Sequence, residues 1–185
     1  MKQILMEVSG LTVYHPYQGY MVILKEHEGN RWLPILVGPV EAHLITNLLK
    51  GERYQRPLTY DMFHALLRAS DARVEQVVVS ELRDSTFYAE VTLRVNDVMT
   101  KDIDARPSDA IALALKTRAP IYVSAQVLAE AGLVGEIATG QQPDITVKLK
   151  HLTRQLEEAV EQEAYEEAAR IRDQIKSLEE QVKSS

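Results

Sequence analysis

The chain has 185 residues and no cysteine, and its formal net charge at pH 7 is −6. This length accommodates one domain of ordinary size with an appended segment, and the lack of cysteine excludes disulfides, thiolate metal sites and cysteine nucleophiles. Residues 1–143 and residues 144–185 each carry a net charge of −3, which excludes a generally basic surface, so DNA or RNA would have to bind at a local basic cluster.

The first part of the chain predicts three strands followed by two helices. Alternating apolar and polar residues indicate the strands, which are Gln3–Val13, Tyr20–Glu26 and Arg31–Val37. A helix is predicted from Pro39 to Lys50 with Gly51 as its C-cap, because proline suits the first helical position and glycine the position just past a helix end. A second helix is predicted over Thr59–Ser70.

The middle of the chain predicts a long hairpin and a third helix. Its elements are predicted at Arg73–Arg83, Thr86–Val95, Met99–Asp104, a helix from near Arg106 to near Thr117, a strand at Pro120–Val123, and a helix capped by Ser124 that ends at Ala131. Helices and strands are interspersed without a regular βα alternation. We therefore predict an α+β fold with a mixed, largely antiparallel sheet.

The composition changes after this part of the chain. Residues 132–143 are rich in glycine and glutamine and are predicted to be a linker, so that the domains are 1–131 and 144–185. In the last segment apolar residues recur at spacings of three and four, which predicts an antiparallel helical hairpin. Two helices bury little surface by themselves, so we expect this hairpin to associate with a partner.

Two features predict where the protein is found. No apolar run approaches the roughly 18 residues needed to span a bilayer, so no membrane association is expected. The first residues alternate apolar with polar and do not resemble a signal peptide. We expect a cytoplasmic protein.

Two predicted helix starts share an Arg-Pro sequence followed by a hydroxyl residue and an acid. They are Arg106-Pro107-Ser108-Asp109 and Arg56-Pro57-Leu58-Thr59-Tyr60-Asp61. Asp104 and Arg106 leave a strand end on one face and Asp109 falls in the first helical turn, so these charges are expected to converge at one helix N-terminus. The candidate catalytic residues are Glu41, Arg56, Asp61, Asp104, Arg106 and Asp109.

Residues from about 4 to 131 resemble the bifunctional nuclease family. The matching stretches are Glu28–Ile35, Gly38–Glu41, Arg56–Thr59, Thr86–Ala89 and Asp104–Ile111. The resemblance implies DNase and RNase activity. The chain departs from the family at Tyr60, where the family commonly has histidine; if that histidine is a general base, His43 or His64 would have to replace it.

The final segment resembles the UVR motif, the helical hairpin through which UvrB and UvrC associate. The resemblance implies a protein-interaction module whose partner contacts are Tyr165, Glu166, Ala168, Ala169, Arg172, Ile175 and Leu178. It does not imply excision repair, because the helicase and nuclease machinery of those enzymes does not fit in a chain this short.

The residues at the two helix starts could perform metal-assisted phosphodiester hydrolysis, which needs an activated water and charge relief at the phosphate. Arg56 and Arg106 could bind phosphate oxygens. In a chain with no cysteine and few histidines, Asp104 and Asp109 favour Mg²⁺ or Mn²⁺ as the metal. The sequence thus predicts a nuclease acting on DNA or RNA, assembled as a homo-oligomer or targeted by its hairpin.

A non-catalytic alternative stays open at this point. Thr59 and Ser108 could be ordinary helix caps, and ion pairs of Asp104 with Arg106 and of Asp61 with Arg56 could fix the helix ends to the sheet. The chain would then be an oligomeric adaptor that recruits a repair or proteolysis partner through its hairpin.

Overall fold

The computed structural model describes residues 2–14, 19–52, 54–135, 152–153, 156, 170–172 and 174–175. The strands defined over these residues are β1 Gln3–Tyr14, β2 Gly19–Glu26, β3 Arg31–Val37, β4 Ala72–Arg83, β5 Thr86–Val95, β6 Met99–Ala105, β7 Ile121–Ser124 and β8 Leu133–Val134. The helices are α1 Pro39–Lys50, α2 Thr59–Ala69, α3 Pro107–Thr117 and α4 Ala125–Ala131. Each predicted element up to residue 131 is confirmed, with its ends shifted by at most one residue.

The eight described strands form one sheet in the order β6-β5-β4-β7-β1-β2-β3-β8. Neighbouring strands are antiparallel except for β4 and β7, which pair in parallel through Val77–Val79 and Ile121–Val123. This arrangement confirms the α+β fold with a mixed, largely antiparallel sheet.

The helix ends follow the local signals in the sequence. Pro39 and Pro107 are the first residues of α1 and α3, and Gly51 closes α1 with a left-handed φ of 67°. The Ser124 side chain accepts a hydrogen bond from the Val127 amide at 3.2 Å and so caps α4. These local features set where each helix enters and leaves the sheet.

Helix α3 is the central helix of the described structure. It packs against α1, α2, β4 and β5. Ile111 is fully buried in the core, and the neighbouring alanines Ala110, Ala112 and Ala114 are buried with it. Because alanine is small, α3 lies close to the sheet, and its N-terminus is held at the end of β6. In contrast, no residue of α2 is buried.

The predicted linker differs from the structure at its start. Leu133 and Val134 form β8, which pairs with Trp32 and Arg31, and the Gly135 amide donates to the Asn30 carbonyl at 3.2 Å. A strand of two residues is too short to produce a periodic pattern in the sequence. The flanking glycines therefore indicated a linker where the chain adds an edge strand.

The chain divides into two compact units, Met1–Ile137 and Ala138–Ser185. In the second unit Leu152 and Ile171 are helical and buried, Arg172 is exposed and Ile175 is partly buried. The other predicted partner contacts lie outside the described residues: Tyr165, Glu166, Ala168, Ala169 and Leu178. The predicted hairpin and domain boundaries stay predictions.

The described helices are short for membrane proteins. None of them combines the length and the apolar character that a membrane-crossing helix requires.

Candidate active site

The N-termini of α1 and α3 meet through the guanidinium of Arg106. Its Nε donates a hydrogen bond to Asp109 Oδ2 at 2.7 Å, and its Nη1 donates to Glu41 Oε1 at 3.1 Å. Arg106 is the N-cap residue of α3, and both carboxylates lie in the first turn of a helix, where the helix dipole favours negative charge. The predicted convergence of charges at this N-terminus is thus present for Arg106 and Asp109, with Glu41 as the second carboxylate.

Tyr60 brings a third helix into the same group. Its hydroxyl donates to Asp109 Oδ1 at 2.8 Å, so that both oxygens of this carboxylate are engaged. Burial, followed by the hydrogen bond to Asp109, raises the pKa of Tyr60, and the phenol stays protonated. We refer to Glu41, Tyr60, Arg106 and Asp109 as the Arg106 cluster.

The expected helix caps are wrong. The N-cap residues are Leu58 for α2 and Arg106 for α3, one or two residues before Thr59 and Ser108. Because Pro107 takes the first position of α3, Ser108 lies inside the helix and is buried. The hydroxyl residues in the two Arg-Pro sequences are therefore not the reason that the helices start there.

Asp61 belongs to a separate pair. Its carboxylate binds the Lys116 ammonium at the other end of α3 and accepts a hydrogen bond from the Leu58 amide at 2.8 Å. The hydrogen bond from Lys116, followed by the one from the Leu58 amide, lowers the pKa of Asp61. The expected ion pair of Asp61 with Arg56 is wrong, because Lys116 of α3 faces α2 and pairs with Asp61 instead.

Two predicted site residues stay outside the cluster. Arg56 and Asp104 are exposed, and within the part of the chain that the structure describes no hydrogen bond or ion pair joins them to the Arg106 cluster. The expected pairing of Asp104 with Arg106 is wrong, since the guanidinium turns to Asp109 and Glu41 instead. Asp104 lies on β6 opposite Glu90 of β5.

The two histidines considered as replacements for Tyr60 lie elsewhere. The Asn47 amide nitrogen lies 3.1 Å from Nε2 of the exposed His43 and donates to the Tyr54 hydroxyl at 2.8 Å. His64 lies near Asp61, whose pKa its charge helps to lower. Among the described contacts, neither histidine reaches the Arg106 cluster.

The carboxylate of Glu41 occupies space that only a glycine at position 38 leaves open. A Cβ at Gly38 would lie 2.5 Å from Glu41 Oε2. The φ of Gly38 is −71°, which any residue can adopt, so this glycine matters for the space that it leaves to the Glu41 carboxylate and not for its conformation. The sequence spacing Gly38–Glu41, one helical turn, is the signal that could have identified this role.

The Arg106 cluster is paired but open to solvent. The Arg106 side chain is 66% exposed, compared with 39% for Asp109 and 23% for Glu41. The described hydrogen bonds use Nε and Nη1, and none of them uses Nη2. Such a guanidinium is held in one orientation and can still receive an anion from solution.

We expect the neutral Tyr60 to make stability depend on alkaline pH. Its pKa is raised in the folded state, so its contribution is complete below the ordinary tyrosine value of about 10 and is lost as pH rises above it. Melting temperatures measured between about pH 8 and pH 11 should fall more steeply for the wild type than for Tyr60→Phe. A parallel fall in both proteins would contradict the role given to the Tyr60 hydroxyl, and Tyr122→Phe on β7, which pairs with β1 and β4, is the control.

Comparisons with known proteins confirm both resemblances and their order. The bifunctional nuclease domain family matches residues 22–136, and the UvrB/uvrC motif matches residues 146–181. An uncharacterized protein of Mycobacterium tuberculosis is 38% identical over 127 residues, which are 69% of this chain and 75% of that protein.

Plant relatives carry the nuclease name. Bifunctional nuclease 1 of Oryza sativa subsp. japonica is 25% identical over 178 residues, covering 84% of this chain and 54% of its own length. Bifunctional nuclease 2 of Arabidopsis thaliana is 27% identical over 191 residues, covering 90% of this chain and 57% of its own length. The chain thus spans little more than half the length of these plant proteins.

Proposed function

The chain belongs to the bifunctional nuclease domain family, and from this membership we propose that it hydrolyses phosphodiester bonds of DNA or RNA at the Arg106 cluster. The observation that carries the proposal is the solvent-facing guanidinium of Arg106, fixed between Glu41 and Asp109. A guanidinium binds phosphate oxygens in a planar fork, and its charge stabilises the negative charge that builds up on them in the transition state.

Glu41 is the group we assign to accept a proton from the attacking water. Both oxygens of Asp109 are engaged by Arg106 and Tyr60, whereas the described hydrogen bonds of Glu41 use only Oε1. Its Oε2 lies beside Gly38 and is available as an acceptor. The neutral Tyr60 positions Asp109, and Asp109 in turn positions Arg106.

The residues do not fit the Mg²⁺ or Mn²⁺ site expected at Asp104 and Asp109. Asp109 already binds a guanidinium and a phenol, and a divalent cation at the same carboxylate would be repelled by Arg106. Within the described ranges, no three histidine or acidic side chains are grouped so that they could hold a metal ion. The proposed reaction therefore contains no metal-dependent step, and the assay varies the metal ion.

Three further assignments complete the proposal. Arg56 is exposed before α2 and is assigned to a neighbouring phosphate of the nucleic acid. Asp61 is a positioning residue that ties α2 to α3 through Lys116. Residues 146–181, which match the UvrB/uvrC motif, are assigned to binding a protein partner.

Hydrolysis of labelled single-stranded DNA and RNA by the full chain tests this function directly. The assay is run with Mg²⁺, with Mn²⁺ and with a chelator. Cleavage by a protein purified through several independent steps supports the proposal. Loss of cleavage with the chelator would show that the reaction also needs a metal ion, which the described residues do not bind. The absence of cleavage under all conditions overturns the proposal and favours the adaptor.

Gly38→Ala is expected to lower cleavage about 10- to 100-fold without unfolding the protein. The added Cβ would lie 2.5 Å from Glu41 Oε2 and displace this flexible carboxylate from Arg106. The matched control is Gly29→Ala, whose Cβ meets the Glu26 carboxylate in the hairpin between β2 and β3. Equal rates for Gly38→Ala and Gly29→Ala would show that the position of Glu41 does not matter for cleavage.

A further inference from the structure

Helix α2 has apolar side chains on both of its faces. On the inner face, Tyr60 and Leu67 pack against the core. On the outer face, including the N-cap, four large side chains are exposed, namely Leu58 (37%), Met62 (54%), Phe63 (49%) and Leu66 (57%). A helix that is apolar on both faces is normally covered on both. We call these four residues the α2 outer face.

The α2 outer face forms a continuous stripe without charge. Leu58, Met62 and Leu66 follow one another at intervals of four residues, and Phe63 lies beside them. The two ionisable residues within this stretch lie outside the stripe: Asp61 binds Lys116 of α3, and His64 lies near Asp61. The core of an interface between identical subunits has this character, with large apolar side chains and few charges.

We propose that the α2 outer face binds a second copy of the chain, with the two α2 helices packed antiparallel about a two-fold axis. A short uncharged stripe is complementary to itself under such an axis, and antiparallel helices place opposite dipole ends side by side. The four residues of this face carry no charge, so they do not require a partner of different sequence with the opposite charge. The described apolar residues of the second unit are buried or partly buried, and none of them is exposed, namely Leu152, Leu156, Ile171 and Ile175.

The exposed area is consistent with a stable dimer. The four side chains of the outer face present on the order of 400 Å² of apolar surface per copy, which is at the size where exposed patches mark interaction sites. The exposed neighbours Tyr54, Thr59, Ala65 and Arg68 flank this face. Together they bring a two-fold contact to roughly 1,200 Å², the lower end of specific interfaces.

Dimerisation would also support the Arg106 cluster. Tyr60 lies on the inner face of the same helix, and no residue of α2 is buried in one copy of the chain. A second α2 would hold this outer helix in place. The inference itself rests on the exposed face and not on the proposed nuclease activity.

Sedimentation velocity of the full chain over a hundredfold range of concentration tests the dimer. Met62 is the middle residue of the stripe and is expected near the axis, so Met62→Glu and Met62→Lys each place like charges together and should weaken the dimer by at least about tenfold. Mixing the two variants pairs opposite charges and should restore dimers. Val98→Glu is the control, because Val98 is 88% exposed in the turn between β5 and β6.

The outcomes separate the proposal from other occupants of this face. A wild type that stays monomeric at every concentration overturns it, as does a dimer that persists in both Met62 variants. Because the chain has no cysteine, Met62→Cys introduces a single thiol, and a crosslinked dimer is expected from it but not from Val98→Cys. Crosslinking keeps the test decisive if the charged variants fail to fold.

Discussion

Arg106→Ala is expected to lower phosphodiester cleavage by about 10² to 10³, because it removes a fixed donor that faces the charge developing on the phosphate. The side chain is held by Asp109 at 2.7 Å and by Glu41 at 3.1 Å, so its orientation does not have to be established during the reaction. The hydrogen bond to Asp109, the largest influence, raises the pKa of Arg106, which therefore stays charged at any working pH. Rates of the variant and the wild type on the same labelled oligonucleotide measure the effect.

Two further variants give this prediction its controls. Arg106→Lys keeps the charge but cannot bridge two carboxylates and bind a phosphate with one planar group, so it should recover only a small part of the activity. Arg73→Ala removes an arginine of similar exposure, paired with Asp97 at the far side of the domain, and should leave the rate unchanged. If Arg106→Ala and Arg73→Ala cleave equally well, catalysis lies elsewhere in the chain.

Removing Arg106 is expected to change the stability of the fold only slightly. Its ion pairs are exposed, and exposed pairs contribute about 0–1 kcal/mol. A large loss of activity with an unchanged melting temperature would therefore be specific to the chemistry of the cluster.

Ile111→Ala is expected to lower the free energy of unfolding by about 3 kcal/mol, within the range found for large apolar residues in a core. Ile111 is fully buried in α3, and the helix that carries Asp109 depends on this anchor to stay against the sheet. Urea unfolding followed by tryptophan fluorescence measures the change. Trp32 is the single tryptophan of the chain and is buried on β3, so the signal reports on the domain that contains the cluster.

Val98→Ala is the matched control for the core substitution. It also shortens an apolar side chain, but one that is almost fully exposed, and should change the free energy of unfolding by less than about 0.5 kcal/mol. A loss below about 1 kcal/mol for Ile111→Ala would mean that α3 is not packed as tightly as its burial indicates.

Local chemistry allowed the elements of the first domain to be predicted to within about one residue of their ends. Pro39 and Pro107 start helices because proline fixes a helical φ and lacks only an amide that has no partner there. The Asp84–Ser85 turn has φ angles of 48° and 57°, the positive values that a tight hairpin between β4 and β5 requires. Such signals act between residues a few positions apart, so they can be read without the tertiary structure.

The candidate site was predictable only where its members are close in sequence. Arg106 and Asp109 are three residues apart on one helical turn, and their contact follows from helix geometry. The UvrB/uvrC motif was likewise recognisable from its own residues. Arg56 and Asp104 lie in or just before the two Arg-Pro sequences, yet the structure leaves both residues outside the cluster.

By itself, then, the sequence determined the type of each element up to residue 131, the positions of the helix starts and the family of the domain. Only the tertiary structure decided that Glu41 contacts Arg106, that Tyr60 binds Asp109 and that Lys116 pairs with Asp61. These partners are 49 to 65 residues apart in the chain. They meet because α3 packs against both α1 and α2, and such packing depends on the buried surface of the whole domain and not on the spacing of any local pattern.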